Sequence, residues 1–186
     1  MQDLTEHHLV EHMVSSQTIA SGGMLTVKRD QVRLPNGNTS QREYVVHPGA
    51  VVVVPILPNG NLILEKQFRY ALHQVFIELP AGKIDANENI LSTGQRELLE
   101  ETGYTATDWI YLGHQHPCIG YSNEVIHMYV ARGLVVGNRQ LDEDEHLEVF
   151  DLPFAQALAM IKNGEITDGK TIIALYTAEK YLAKNG

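Results

Sequence analysis

The first half of the chain alternates apolar and polar positions in short runs broken by Asn-Gly turns. Residues 25–34 alternate and carry β-branched side chains, and Pro35-Asn36-Gly37-Asn38 follows, a turn whose Asn-Gly pair tolerates positive φ. A second turn of the same make, Pro58-Asn59-Gly60-Asn61, separates residues 50–57 from 62–67 and predicts a hairpin. In the first arm Val51, Val52, Val53 and Val54 run on without a polar break, the pattern of a strand buried on both faces. The segment Leu79-Pro80-Ala81-Gly82-Lys83-Ile84-Asp85 reads as a loop. A helix is expected from about residue 87 to 102, with Gly103 as the left-handed residue that ends it. Strands are expected near 109–116 and 125–131. Two helices follow: 153–162, with Pro153 in its first turn and Gly164 beyond its end, and 168–184, with Asp168 as N-cap. Residues up to about His47 read as short strands. Strands and helices intersperse without strict βαβ alternation, so the expected class is α/β in the broad α+β sense, a mixed sheet flanked by helices.

Composition narrows the function more than the fold. The chain has 186 residues, enough for one domain with a small appendage, and a formal net charge of −9. That balance argues against a nucleic-acid backbone as partner and against a polybasic membrane anchor. An acidic chain still binds a phosphate-rich small molecule when divalent cations sit between the two sets of negative charge. Cys118 is the single cysteine, so no internal disulfide forms. The N-terminal residues lack a basic region followed by an apolar run, and the longest apolar stretch, residues 50–57, is far short of a membrane span. A cytoplasmic protein without a membrane or nucleic-acid partner is the expectation.

Residues 82–104 carry the chemistry. On a helix Glu97, Glu100 and Glu101 stand at i, i+3 and i+4, so their carboxylates share a face and repel one another. Hard oxygen ligands crowded on a rigid element are how Mg²⁺ is held, with remaining coordination positions left to water and phosphate. A solvated acidic helix face would look the same over Arg96, Glu97, Glu100 and Glu101 alone. The wider pattern separates the two. Gly82, Glu88, Arg96-Glu97-Leu98, Glu100-Glu101 and Gly103 fall at the spacing Gly-x5-Glu-x7-Arg-Glu-Leu-x-Glu-Glu-x-Gly, followed by the large apolar Tyr104.

That segment resembles the signature of the Nudix hydrolase family. The resemblance implies a Nudix fold, with a mixed β-sheet sandwiched between helices and a small N-terminal antiparallel sheet. It implies domains at 1–47, a dimerisation element pairing two subunits, and 48–186, the hydrolase. It makes Glu97, Glu100 and Glu101 metal ligands together with the Ala81 carbonyl. Arg96 and Glu88 become the pair that orients helix and loop, with Glu88 a further candidate ligand, and Gly82 lets the backbone approach the ion.

Outside the signature the chain is similar to the ADP-ribose pyrophosphatase branch over about residues 20 to 186. The matching pieces are Arg42-Glu43 through His47-Pro48-Gly49-Ala50, Gln67-Phe68-Arg69, Glu78-Leu79-Pro80-Ala81-Gly82, Asp142-Glu143-Asp144-Glu145 and Gly164-Glu165-Ile166-x-Asp168. Where the branch has a marker proline, this chain has Ile119, with Pro117 two residues earlier. By resemblance Glu143 is the catalytic base, with Glu97 the alternative, and Glu145 joins the metals. Arg69, Glu124 and Arg42 touch substrate. The implied activity is Mg²⁺-dependent hydrolysis of ADP-ribose to AMP and ribose 5-phosphate, with Mn²⁺ as an alternative ion. Another nucleoside diphosphate sugar, a dinucleotide such as FAD or NADH, and a non-catalytic ligand sensor on the same fold are the competing readings. The string His8-Leu9-Val10-Glu11-His12 has the inverted zinc-protease spacing but no evident further ligand.

Overall fold

The computed structural model describes residues 7–23, 25–141 and 146–185. Among these, the chain forms two compact units. The first takes in Met1–His47 and Cys118–Glu124, the second Pro48–Pro117 and Val125–Gly186.

The first unit is built on an antiparallel sheet of β1 (His12–Ser21), β2 (Thr26–Arg33) and β3 (Thr39–Val46), in that order. The Asn-Gly turn between β2 and β3 forms as its sequence requires. Gly37 takes φ of +87°, and the Asn36 carboxamide oxygen accepts from the Asn38 N–H at 3.0 Å. β1 is an edge strand exposed along its whole length. Residues 118–124 join this unit by a parallel bridge between Val45 and Ser122, with the Val45 N–H donating to the Tyr121 carbonyl at 2.8 Å. No local pattern in the sequence announces that pairing.

The second unit holds two further sheets and three helices. One sheet has the order β7 (Ala81–Lys83), β4 (Ala50–Pro55), β9 (Ile126–Val136) and β8 (Tyr104–Gln115), and is mixed because β4 runs parallel to β9. The other is antiparallel, β10 (Leu147–Pro153), β5 (Asn61–Arg69) and β6 (Gln74–Glu78). The valine run is the centre of both cores. Val51 and Val53 pack with Leu98, Tyr129 and Ala131 on the side of α1 (Ile90–Thr102). Val52 and Val54 face the other way, among Leu62, Leu64, Met128 and Val130, with Ala157 of α2 (Phe154–Lys162) and Ala174, Leu175 and Ala178 of α3 (Gly169–Asn185). All four valines are fully buried, each removal from water favouring the fold by about 1.5–3 kcal/mol.

The predicted hairpin of residues 50–67 is corrected. Its turn forms, with Gly60 at φ +84° and the Leu57 N–H on the Asn61 carbonyl at 2.8 Å, but β4 and β5 enter different sheets. β4 is flanked by β7 on one edge and β9 on the other, so β5 has no edge to pair with, and only the Ile56–Leu62 bridge remains. The expected 79–85 loop likewise contains strand β7. α1 begins at Ile90 because Asn89 caps it, its side chain accepting from the N–H groups of Leu91 and Ser92, while Asn87 is left-handed at φ +68°. Pro153 precedes α2 as its N-cap instead of sitting in its first turn. Gly103 ends α1 at φ +76°, as its place in the sequence demands. Among the described residues no helix is long and apolar enough to cross a membrane.

Candidate active site

The acidic face of α1 meets β7 at Gly82. A Cβ built on Gly82 would overlap the Glu97 carboxylate, so the strand approaches the helix at a distance only glycine permits. One turn on, the Ala81 N–H donates to Glu101 Oε2 at 2.9 Å. Both glutamates are buried, Glu97 at 7% relative exposure and Glu101 at 2%, whereas carboxylates of a solvated helix face would stand in water.

Arg96 holds the neighbouring charges. Its Nε and Nη2 donate to the two oxygens of Glu88 at 3.1 and 3.0 Å, Nη2 also to the Lys83 carbonyl at 3.1 Å, and Nη1 to Glu97 Oε1 at 2.8 Å and Glu100 Oε2 at 3.0 Å. These hydrogen bonds hold the Glu88 carboxyl down to about 2 against the opposing effect of burial, with help from the Thr93 hydroxyl and the Asp85 N–H. The Arg96 guanidinium is raised in turn, chiefly by Glu88. The arginine thus orders the 83–88 turn and α1 as one piece.

The four glutamates and one arginine together carry a formal charge of −3. Among the described residues no three His, Cys, Asp or Glu side chains are already gathered into a ligand shell, because Arg96 bridges Glu97 and Glu100. Yet the donors are all oxygen, negative in sum, and partly buried beside a cradle that excludes a Cβ. Such a set fits a hard divalent cation.

Glu143 and Glu145 lie outside the described residues, as do Asp142 and Asp144. Their flanks are tied to the end of α1. Gln140 N–H donates to the Glu100 carbonyl at 3.3 Å, while Arg139 donates to the carbonyls of Glu101 at 2.6 Å and Leu147 at 2.9 Å. A guanidinium on the last carbonyls of a helix also meets the negative end of its dipole. Arg139 is a residue that sequence reasoning missed.

Arg69, at the end of β5, makes a paired hydrogen bond with Glu78 across the β5–β6 hairpin, Nε and Nη2 each at 2.7 Å. The Glu78 hydrogen bond raises the guanidinium against the effect of burial. Two of its five N–H groups are thereby committed. Glu78 also receives Lys170 Nζ, which bonds Asp168 at 3.0 Å. Glu78 and Lys170 carried no expectation, although a charge closing the apolar run Val75-Phe76-Ile77 is the signal that would have marked Glu78.

The other two expected substrate residues belong to the first unit. Arg42 grips Glu11 at 2.9 and 2.5 Å and also reaches Ser40 and the Gln41 carbonyl. That engages the glutamate of the zinc-like string. Glu124 lies 3.7 Å from His47 Nδ1, and its N–H donates to the Ser122 hydroxyl.

A NUDIX domain model matches residues 46–175. The chain belongs to the Nudix family. This Nudix chain is 38% identical over 169 residues to an ADP-ribose pyrophosphatase of Bacillus subtilis, covering 90% of this chain and 91% of that protein. It is 40% identical over 167 residues to a methanol dehydrogenase activator of Bacillus methanolicus, covering 89% and 90%. A GDP-mannose pyrophosphatase of Yersinia enterocolitica is 34% identical over 77% of this chain and 81% of its own. A crystal structure described as that of an ADP compounds hydrolase superposes with TM-score 0.86 over 96% of this chain and 97% of that one, at 24% identity. At that identity the likeness is one of fold.

Proposed function

We propose that this Nudix pyrophosphohydrolase splits the diphosphate of a nucleoside diphosphate derivative in the presence of Mg²⁺, with ADP-ribose as the preferred substrate. The observation that carries the reading is the burial of Glu97 and Glu101 against the Gly82 and Ala81 backbone, inside the matched family domain. The substrate is supported by the relative named ADP-ribose pyrophosphatase, at 38% identity.

Glu97, Glu100 and Glu101, with the Ala81 carbonyl and with Glu88 and Glu145, would hold the divalent ions. Such ions supply neutralisation of the diphosphate charge and Lewis acidity. Arg96 keeps Glu88, Glu97 and Glu100 at their stations through four hydrogen bonds. Glu143 accepts a proton from the attacking water, whose oxygen bonds to one phosphorus as the bridging P–O bond breaks. Arg69 meets the diphosphate with the N–H groups that Glu78 leaves uncommitted. For ADP-ribose the products are AMP and ribose 5-phosphate.

Two copies pair through the first unit in this reading. The exposed edge β1 carries Met13 at 66% and Val14 at 50% exposure, a surface that a second sheet edge would cover. Light scattering is expected to give a dimer, and a monomer at micromolar concentration ends that part of the reading. Glu124 and Arg42 are further proposed substrate contacts.

The deciding experiment is a panel of ADP-ribose, GDP-mannose, FAD and NADH with Mg²⁺, reading phosphate after phosphatase treatment. ADP-ribose is expected to turn over fastest. Faster turnover of GDP-mannose or a dinucleotide moves the substrate, and calorimetric binding of ADP-ribose without any product makes the chain a sensor.

A further inference from the structure

Arg69 sits at the end of a chain of charged contacts that begins in the last helix. Asp168 caps α3 by accepting the Thr171 N–H at 3.0 Å and holds Lys170 at 3.0 Å. Lys170 reaches Glu78, and Glu78 holds Arg69 through both carboxylate oxygens. Glu78 is 1% exposed, Lys170 is largely buried, and the Arg69 side chain is still 42% exposed. Arg69, Phe76, Glu78, Thr167, Gly169 and Lys170 line one cavity of about 270 Å³. That is just under the roughly 300 Å³ from which small-molecule pockets start, room for part of a ligand.

A half-exposed arginine samples many rotamers, and ordering one costs side-chain entropy. Glu78 removes that freedom only if it is itself fixed and ionised. Burial pushes its carboxyl up, but the hydrogen bonds and charges of Arg69 and Lys170 outweigh burial and leave it below the usual range. With Lys170 gone, a buried carboxylate would depend on a single mobile guanidinium.

We infer that Lys170 is a positioning residue for substrate binding: through Glu78 it holds the Arg69 guanidinium at the cavity wall, ready for a diphosphate oxygen. The inference rests on the reading that Arg69 meets the diphosphate. It gives α3, far along the chain from the signature glutamates, a share in ground-state affinity.

The test is steady-state kinetics with ADP-ribose and Mg²⁺, paired with a readout that needs no substrate. K170M should raise KM about tenfold with kcat within about twofold, and K170R, whose longer fork still reaches Glu78, should recover most of the loss. In an R69K background K170M should add less than about a twofold further effect, as expected of residues acting in series. Equal KM for K170M and wild type overturns the inference, and so does an undiminished penalty in the R69K background. The Nε–H NMR resonance of Arg69, assigned by its loss in R69K, should shift or broaden in ligand-free K170M and return in K170R. An unchanged resonance overturns the inference whatever the kinetics. If the wild-type protein hydrolyses nothing in the panel, the proposed function falls and the resonance alone decides whether Lys170 positions Arg69. Should K170M fail to fold by circular dichroism, K170Q and D168N carry the same readouts.

Discussion

Gly82 and Glu97 share one volume: the place a side chain would take on the strand is filled by the carboxylate from the helix. Gly82→Ala therefore sets a methyl against a buried charge. The expected cost is about 1–3 kcal/mol, as for other overpacked sites. A lowered urea midpoint with unchanged slope would register it, and an unchanged midpoint would mean that Glu97 swings away freely.

Glu101→Gln keeps the shape and an oxygen to accept the Ala81 N–H while deleting the charge. The protein should fold, by circular dichroism, and lose at least about 10²-fold in kcat. A chelator should abolish turnover of the wild type, and added Mg²⁺ should restore it, with Mn²⁺ run in parallel. Turnover that survives either treatment removes the metal assignment.

Glu143→Gln should slow the reaction by about 10²–10⁴ if Glu143 takes the proton. The ionisation on the acid limb of the kcat profile should disappear with it. A near-normal rate transfers the role to Glu97.

His127 on β9 meets the Tyr111 hydroxyl at 3.0 Å and the His114 ring at 5.8 Å between centroids. Burial, then His114, lowers its affinity for a proton below that of a free histidine at 6.5. Below that pH the unfolded chain binds a proton that the folded one resists, so stability is full above pH 6.5 and falls as the pH drops through it. His127→Asn cannot take up that proton. Denaturation at about pH 7.5 and 5.5 should show a smaller loss in the variant than in the wild type. An identical loss would assign the acid sensitivity elsewhere.

What the chain disclosed by itself follows the range of the interactions involved. The valine run, the two Asn-Gly turns, Gly103 and Asp168 act within a few residues, and each stands where its local chemistry puts it. The parting of β4 from β5 depends on which strands occupy the edges of β4, one of them β9 some seventy positions downstream, and no local pattern holds that information. The signature made the Gly82–Glu97 neighbourhood legible because its spacing is fixed by one helix and one corner. Arg69 was foreseen but its partners were not: Glu78 lies across a hairpin and Lys170 on the last helix, joined only by the finished fold.

The Thr171 hydroxyl gives the Leu79 N–H its acceptor at 2.9 Å, deep between the last helix and the approach to β7. Trimming the protein at residue 175, where the family match stops, would spare Thr171 and Lys170 but leave seven residues of a seventeen-residue helix and discard the buried Ala178. A stub of two turns rarely persists unaided in water. The tail that looks dispensable is thus a splint for the corner on which the acidic cluster stands, and shortening it would loosen that corner without touching any glutamate.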